Sequence, residues 1–402
     1  MPEKILLIGT FDTKGEEFSF VRSLIEARGH EALMMDIGVQ EDPPFEPDIS
    51  ASDVAEAGGS SLEALRKSGD RGSAIEVMIA GVRKRVPELY EQNRFIAVMS
   101  LGGGGGTNVA TAGMQELPVG VPKLMVSTLA SSDVSPYVDV KDITMMYSVV
   151  DIAGLNRISR RILANAAGAI CGMAEQELPP AVEKPMIAAS MFGVTTPCVT
   201  AVRERLEREG FEVLVFHATG SGGRAMEGLI EDGYFCAVAD ITTTEWCDQV
   251  VGGVIPAGED RLGAAARKGI PQVVSCGALD MVNFHAPGTM PEKFRSRKLY
   301  RHNPNVTLMR TSSEECREIG RRIAAKLNEA TGPVVLALPL KGVSMIDREG
   351  QPFHDPAAND ALFSSLKEHV NPSVGLMELD SHINDPEFAE AVAERLLDLL
   401  GR

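Results

Sequence analysis

Five consecutive glycines stand in the run Ser100-Leu101-Gly102-Gly103-Gly104-Gly105-Gly106-Thr107-Asn108, directly after the apolar stretch 95–99. Between a buried strand and a helix start such a run is costly, because glycine loses the most backbone freedom on folding. In return it gives access to positive φ and leaves no side chain in the path of a ligand. Successive N–H groups at a helix N-terminus then form an anion-binding concavity, which the helix dipole reinforces. A phosphate or another anion is the expected occupant. A flexible loop, or a close approach of two backbones, is the competing reading.

A second cluster, Gly9-Thr10-Phe11-Asp12-Thr13-Lys14-Gly15-Glu16, closes the first apolar run. It is no dinucleotide fingerprint, since G-x-G-x-x-G does not follow that run, and the Walker A pattern G-x-x-x-x-G-K-[S/T] occurs nowhere in the chain. It does set the Thr10 and Thr13 hydroxyls beside a carboxylate and an ammonium. Lys14 can neutralise a phosphate, and Asp12 can hold Mg²⁺ directly or through water. The same residues also suit a plain helix start with Asp12 or Thr13 as N-cap. Asp36, ending the next apolar run, is placed to accept hydrogen bonds from a ribose, or to be an ordinary loop residue. Thr128, in the hydroxyl-rich turn Ser127–Asp133, adds a further donor at the same edge.

The second half is polar at equivalent places. His217 to Arg224 brackets another glycine-rich helix start, with a guanidinium suited to carboxylate or phosphate. Asp240-Ile241-Thr242-Thr243-Thr244-Glu245 puts three hydroxyls between two carboxylates. Histidines 217, 285, 302, 354 and 382 each stand near Gly, Pro, Asn or Asp, as acid–base or anion-binding groups in loops often do. No H-x-x-x-H spacing supports a zinc hydrolase, and G-x-S-x-G is absent. The catalytic candidates are His217, Arg224, His285, His302, Lys341 and His382, with no single one distinguished.

These groups need a frame, and the hydropathy pattern supplies one. Short apolar runs (5–8, 31–37, 95–101, 123–129) alternate with amphipathic helical stretches at 16–28 and 73–90. Near-continuous apolar strands separated by helices predict a parallel sheet covered on both faces, a doubly wound α/β domain. A second series starts near Pro185, with strands predicted at 186–191, 211–216 and 235–241. GHEALMMDIG (29–38) pairs loosely with GFEVLVFHATG (210–220), and FIAVMSLGGGGGT with FCAVADITTTEW. A helix at 156–175 and the linker Glu177-Leu178-Pro179-Pro180 place the boundary near 180. The expectation is therefore a 1–180 subdomain and a 181–402 subdomain with a cleft between them. Residues 42–72 read as a long surface excursion, a lid or an oligomer contact.

Composition excludes several classes. At 402 residues the chain exceeds one typical core. A net charge of −17 argues against a nucleic-acid or anionic-membrane partner. The six cysteines show no C-x-x-C pair and read as reduced core residues. No apolar run approaches the roughly 20 residues of a membrane span, and a strand at residue 4 leaves no room for a signal peptide. The expectation is a soluble, cytoplasmic protein.

Six blocks carry a resemblance over essentially the whole chain: GTFDTKGEE (9–17), GGGGGT (102–107), FHATGSGGRAME (216–227), HNPNVTLMRT (302–311), PLKGVS (339–344) and DSHINDPEFA (380–389). In this order they resemble the UPF0261, or Tm-1-like ATP-binding, family. The resemblance implies two Rossmann-like subdomains, ATP with Mg²⁺ on the N-terminal one, and a homo-oligomer, a dimer. Some members of the family carry a TIM-barrel domain, so the resemblance implies that any activity of that barrel is either absent here or supplied by a separate TIM-barrel partner protein. The family's loop commonly holds a serine where this chain has only glycine. Phosphate contacts then rest on backbone N–H groups, Thr107 and Lys14. Three functions follow: ATP binding over Gly102, Gly103, Gly104, Gly105, Gly106 and Thr107; an enzyme, ATP-coupled or not, on a small anionic metabolite in the cleft; or a non-catalytic interaction module stabilised by nucleotide. Any hydrolysis would be slow, since no Walker B-like acid or arginine finger is identifiable.

Overall fold

The computed structural model describes residues 3–180 and 182–402, and these two stretches form two compact units, unit 1 and unit 2. In unit 1, β1 (Lys4–Gly9), β2 (Glu31–Asp36), β3 (Ala97–Gly102), β4 (Lys123–Ser127) and β5 (Thr144–Tyr147) form a parallel sheet in the order β2-β1-β3-β4-β5. Alternate residues of β1 serve two cores. Leu6 and Ile8 join Met78, Val82 and Val109 on one face, while Ile5 and Leu7 join Phe18, Val21 and Leu163 on the other. Both faces are covered, which is why the strand reads as an unbroken apolar run. From β1 the chain steps outward to β2, then returns to the opposite side of β1 to lay down β3. That reversal opens a crevice at the C-terminal ends of β1 and β3.

Unit 2 follows the same plan with β6 (Met186–Met191), β7 (Glu212–His217), β8 (Phe235–Thr242) and β9 (Gln272–Gly277). An antiparallel insert follows, formed by β10 (Met281–Phe284), β11 (Leu299–Asn303) and β12 (Val306–Arg310) in the order β10-β12-β11. With β13 (Val334–Pro339) and β14 (Gly375–Leu379) the parallel sheet runs β14-β13-β9-β8-β6-β7. Its reversal lies between β6 and β8. The two parallel α/β sheets are the predicted architecture; the antiparallel insert was not foreseen. No helix among the described residues is long and apolar enough to cross a membrane.

Three local expectations change. The first helix runs from Phe11 to Glu26 rather than starting at Glu16, and non-helical Lys14 (φ −132°, ψ 24°) separates its first turn from the rest. Neither Asp12 nor Thr13 is its N-cap; that place falls to Thr10, whose side chain makes no capping bond. The 42–72 excursion is not irregular, for it contains the helices Ala51–Ala57 and Leu62–Ser68, capped by the Ser50 and Ser61 hydroxyls. Helices of seven residues carry little periodicity and depend on packing, supplied by buried Val54 and Leu65.

Candidate functional site

A cavity of about 560 Å³ occupies the β1/β3 crevice of unit 1. Thr10, Asp12, Thr13 and Lys14 line it from the end of β1, and Gly103, Gly104, Gly105 and Gly106 from the end of β3. Leu65, Arg66, Asp70 and Arg71 line it from the excursion, and Ile75, Met78 and Val109 give it an apolar wall.

The glycines act otherwise than by positive φ, for none of residues 102–106 adopts it. Gly102 ends β3, Gly103 is the N-cap, and Gly104 opens the helix Gly104–Gln115. Gly103 has no side chain to cap with, and the first intrahelical bond is donated by the Thr107 N–H to the Gly103 carbonyl at 2.9 Å. The N–H groups of Gly104, Gly105 and Gly106 precede that bond and face the positive end of the helix dipole. A Cβ on Gly106 would meet nothing within 4 Å, and one on Gly105 would come no closer than 3.5 Å to its nearest neighbour, Arg71 Nη2. The missing side chains thus open the cavity floor. Arg71 is the residue that sequence reasoning missed. Its guanidinium stands over this helix start and forms no ion pair or hydrogen bond among the described residues. The only sequence signal was Gly69 (φ 64°) ending one helix and Asp70 capping the next, accepting from the Gly72 N–H at 2.9 Å. Nothing in that signal points to residue 105.

The other predicted residues divide by place. Lys14 Nζ lines the cavity and donates to the Ile152 carbonyl at 2.5 Å. Thr13 Oγ1 donates to Thr10 Oγ1 at 3.0 Å. Asp12 Oδ2 accepts from the Gln40 and Glu41 N–H groups, while Oδ1 is buried without a hydrogen-bond partner. Arg66 ties the same loop down through the Val39 and Glu41 carbonyls and Asp42. Asp36 does not line the cavity; its Oδ1 accepts from the Phe11 N–H at 3.0 Å and the Gly38 N–H at 2.8 Å, fixing the loops beneath. Burial pushes its carboxyl up to about 6, against the pull of those two N–H groups. Thr107 is also buried, its hydroxyl 2.7 Å from Ser127 Oγ. Thr128 flanks the helix start, 3.7 Å from where a Gly103 Cβ would stand, outside the cavity lining.

At the β6/β8 reversal of unit 2 the space is filled. Arg261 is 1% exposed and holds three carboxylates: Asp240 (Nη2–Oδ1 2.7 Å), Glu245 (Nε–Oε2 2.7 Å) and Glu227 (Nη1–Oε1 3.0 Å). Thr195 and Thr242 share a buried hydroxyl contact of 2.7 Å across the reversal. The glycine-rich helix start is occupied from within, since Glu245 Oε1 accepts from the Gly220 and Gly223 N–H groups at 2.7 and 3.2 Å. A Cβ on Gly223 would lie 2.3 Å from Glu245 Oε2, so this glycine makes room for the protein's own carboxylate.

The catalytic candidates are scattered. His217, Arg224, His285 and His302 are exposed and line neither this cavity nor the one described next. Lys341 and His382 do meet, in a second cavity of about 510 Å³ in unit 2. Lys341 pairs with Asp380 at 2.9 Å. His382 is buried with both ring nitrogens spent: Nδ1 accepts from the Asn384 N–H at 3.1 Å and Nε2 donates to the Ser344 carbonyl at 2.8 Å. Burial lowers its pKa, and as a neutral group with no free nitrogen it serves the fold.

Family profiles match both units: the UPF0261 N-terminal domain over residues 3–179 and the UPF0261 C-terminal domain over 184–400, each described as an uncharacterised protein family. A "UPF0261 protein" of Clostridium tetani is 53% identical over 402 residues, covering 100% of both chains. The "ToMV resistance protein Tm-1(GCR237)" of Solanum lycopersicum is 39% identical over 98% of this chain, which spans 56% of the tomato protein. Among solved structures, a UDP-N-acetylglucosamine 2-epimerase from Rickettsia bellii aligns over 100% of this chain and 96% of its own at 11% identity, with a TM-score of 0.25, too loose to carry an argument. Matched by family profiles over both units and by a full-length relative at half identity, the chain belongs to the UPF0261 family.

Proposed function

We propose that unit 1 binds the phosphates of ATP, with Mg²⁺, in the β1/β3 crevice. The observation that carries this is the uncapped start of the helix Gly104–Gln115, open to the cavity floor beside the unpaired Arg71 guanidinium. Three orphan N–H groups and a free cation suit an anion with several oxygens. Lys14 adds a second cation, and Thr10 and Thr13 add hydroxyl donors. The apolar wall of Leu65, Ile75, Met78 and Val109 suits the face of a base. For Mg²⁺ the fit is one carboxylate, because Asp12 Oδ1 lacks a partner and phosphate oxygens and water normally complete such a shell. The ion would neutralise phosphate charge when bound.

Calorimetric titration of nucleotide-stripped protein with ATP and Mg²⁺, with ADP and NAD as controls, tests this reading. Saturable ATP binding is expected, weakened about tenfold in Arg71→Gln by loss of a charge-assisted contact. An absence of binding at millimolar ATP overturns it.

A further inference from the structure

The second cavity holds two histidines, and their surroundings differ in a way that bears on function. His382 has no ring nitrogen to offer. His354 does. Its Nδ1 lies 3.2 Å from the Asp347 carbonyl, an atom that can only accept, so Nδ1 carries a proton and, in the neutral tautomer, Nε2 holds the lone pair. Among the described residues nothing bonds that Nε2. A histidine fixed in this tautomer by a main-chain carbonyl is set up to accept a hydrogen bond or a proton at Nε2.

The segment carrying His354 is clamped from below. Arg310, only 3% exposed, donates through Nε to the Phe353 carbonyl at 2.8 Å and through Nη2 to the Asp355 carbonyl at 3.3 Å, gripping the backbone on either side of residue 354. The same guanidinium holds the Asp347 carboxylate at 3.3 Å, and Asp347 supplies the carbonyl that orients the ring. Arg310 is therefore a positioning residue for His354.

The cations on the wall are exchangeable. Lys341 pairs with Asp380 and Arg348 with Asp385, both in exposed pairs that an incoming anion can displace at little cost. Glu349 and Asp360 line the same cavity and disfavour a multiply charged ligand. We propose that this cavity binds a small monocarboxylate bearing a neighbouring hydroxyl or amine. Arg348 and Lys341 hold the carboxylate, and His354 Nε2 accepts the hydrogen bond from the neighbouring group. The site stands independently of the nucleotide reading.

Long-range ¹H–¹⁵N spectra of the full-length protein test it, the His354 signals being identified by their loss in His354→Gln. The Nδ1–H tautomer is expected, with a saturable Nε2 shift on adding glycolate or glycine. The stronger of these two tells hydroxyl from amine. Acetate, which lacks the donor, and inorganic phosphate, which carries more charge, should each bind several-fold more weakly. Arg348→Gln should weaken the better probe about tenfold or more. The Nε2–H tautomer overturns the proposal. So does the absence of any saturable shift at tens of millimolar of both probes, or glycolate and glycine binding unchanged in Arg348→Gln.

Discussion

The two units share a sheet plan but treat its reversal point in opposite ways. In unit 1 the helix start beyond β3 is bare glycine, and a cavity lies over it. In unit 2 the loop beyond β8 is Thr243-Thr244-Glu245, fully buried, and Glu245 reaches across to the helix start at Gly220–Gly223. Both places present main-chain N–H groups at a helix start. One leaves them on an open cavity, while the other fills the place with its own carboxylate and neutralises it with Arg261. A doubly wound sheet therefore offers a binding crevice by topology, and side-chain choice decides whether it stays open.

The plug is the first place to break the comparison. Arg261→Met leaves Glu227, Asp240 and Glu245 buried without a counter-charge, and removing one partner of such a cluster costs about 3–5 kcal/mol. The single tryptophan, Trp246, is buried beside Glu245 and reports on unit 2, so urea unfolding followed by its fluorescence should show a much lower midpoint. A midpoint close to the parent's would mean that the cluster does not hold the unit together.

The converse experiment plugs unit 1. Gly105→Asp places a resident carboxylate near the free N–H groups and Arg71, where a Cβ has room. It should leave the fold intact and weaken ATP binding by about 100-fold, the equivalent of one charge-assisted interaction. Unaltered affinity in calorimetry would place the phosphates elsewhere.

A smaller effect separates the two units by pH. Asp36 is a buried carboxyl with no guanidinium bonded to it, unlike the acids around Arg261. Its folded-state pKa of about 6 lies above the unfolded value of 3.8. The native state therefore binds the proton more tightly, and this residue's contribution to stability falls as pH rises through that window. Asp36→Asn keeps an oxygen for both N–H groups and removes the ionisation. It should flatten the decline between about pH 4 and 6 and raise stability at neutral pH by about 3 kcal/mol. Thermal melts across that range measure it, and a slope equal to the parent's would assign the pH dependence to other groups, such as Asp280, pushed up by burial to about 7.

Much of the frame was legible in the residues. The apolar runs ending in Gly9 and Gly102 marked two strand ends, and the glycine run marked a helix start. The short helices flanking Gly58-Gly59 and Gly69 were not legible, because seven residues hold too little periodicity to distinguish a helix from a polar loop. They bring in Leu65, Arg66 and, just beyond, Arg71. The histidines were indistinguishable in the sequence for a related reason. His382 and His354 look alike as loop residues beside Asn and Asp, and only the atoms facing each ring nitrogen tell them apart.

What the chain determined by itself was local: which segments alternate as strand and helix, and where backbone N–H groups go uncapped. Those properties follow from hydropathy period and from the absence of side chains, which neighbours in sequence settle. Tertiary structure alone decided which charges meet. Arg261 reaches carboxylates 16, 21 and 34 residues away, and Arg71 stands over a glycine 34 positions further on. Whether a helix start is open or filled depends on such meetings, because an anion site is defined by what lies within hydrogen-bond reach in space, and chain separation carries no such information.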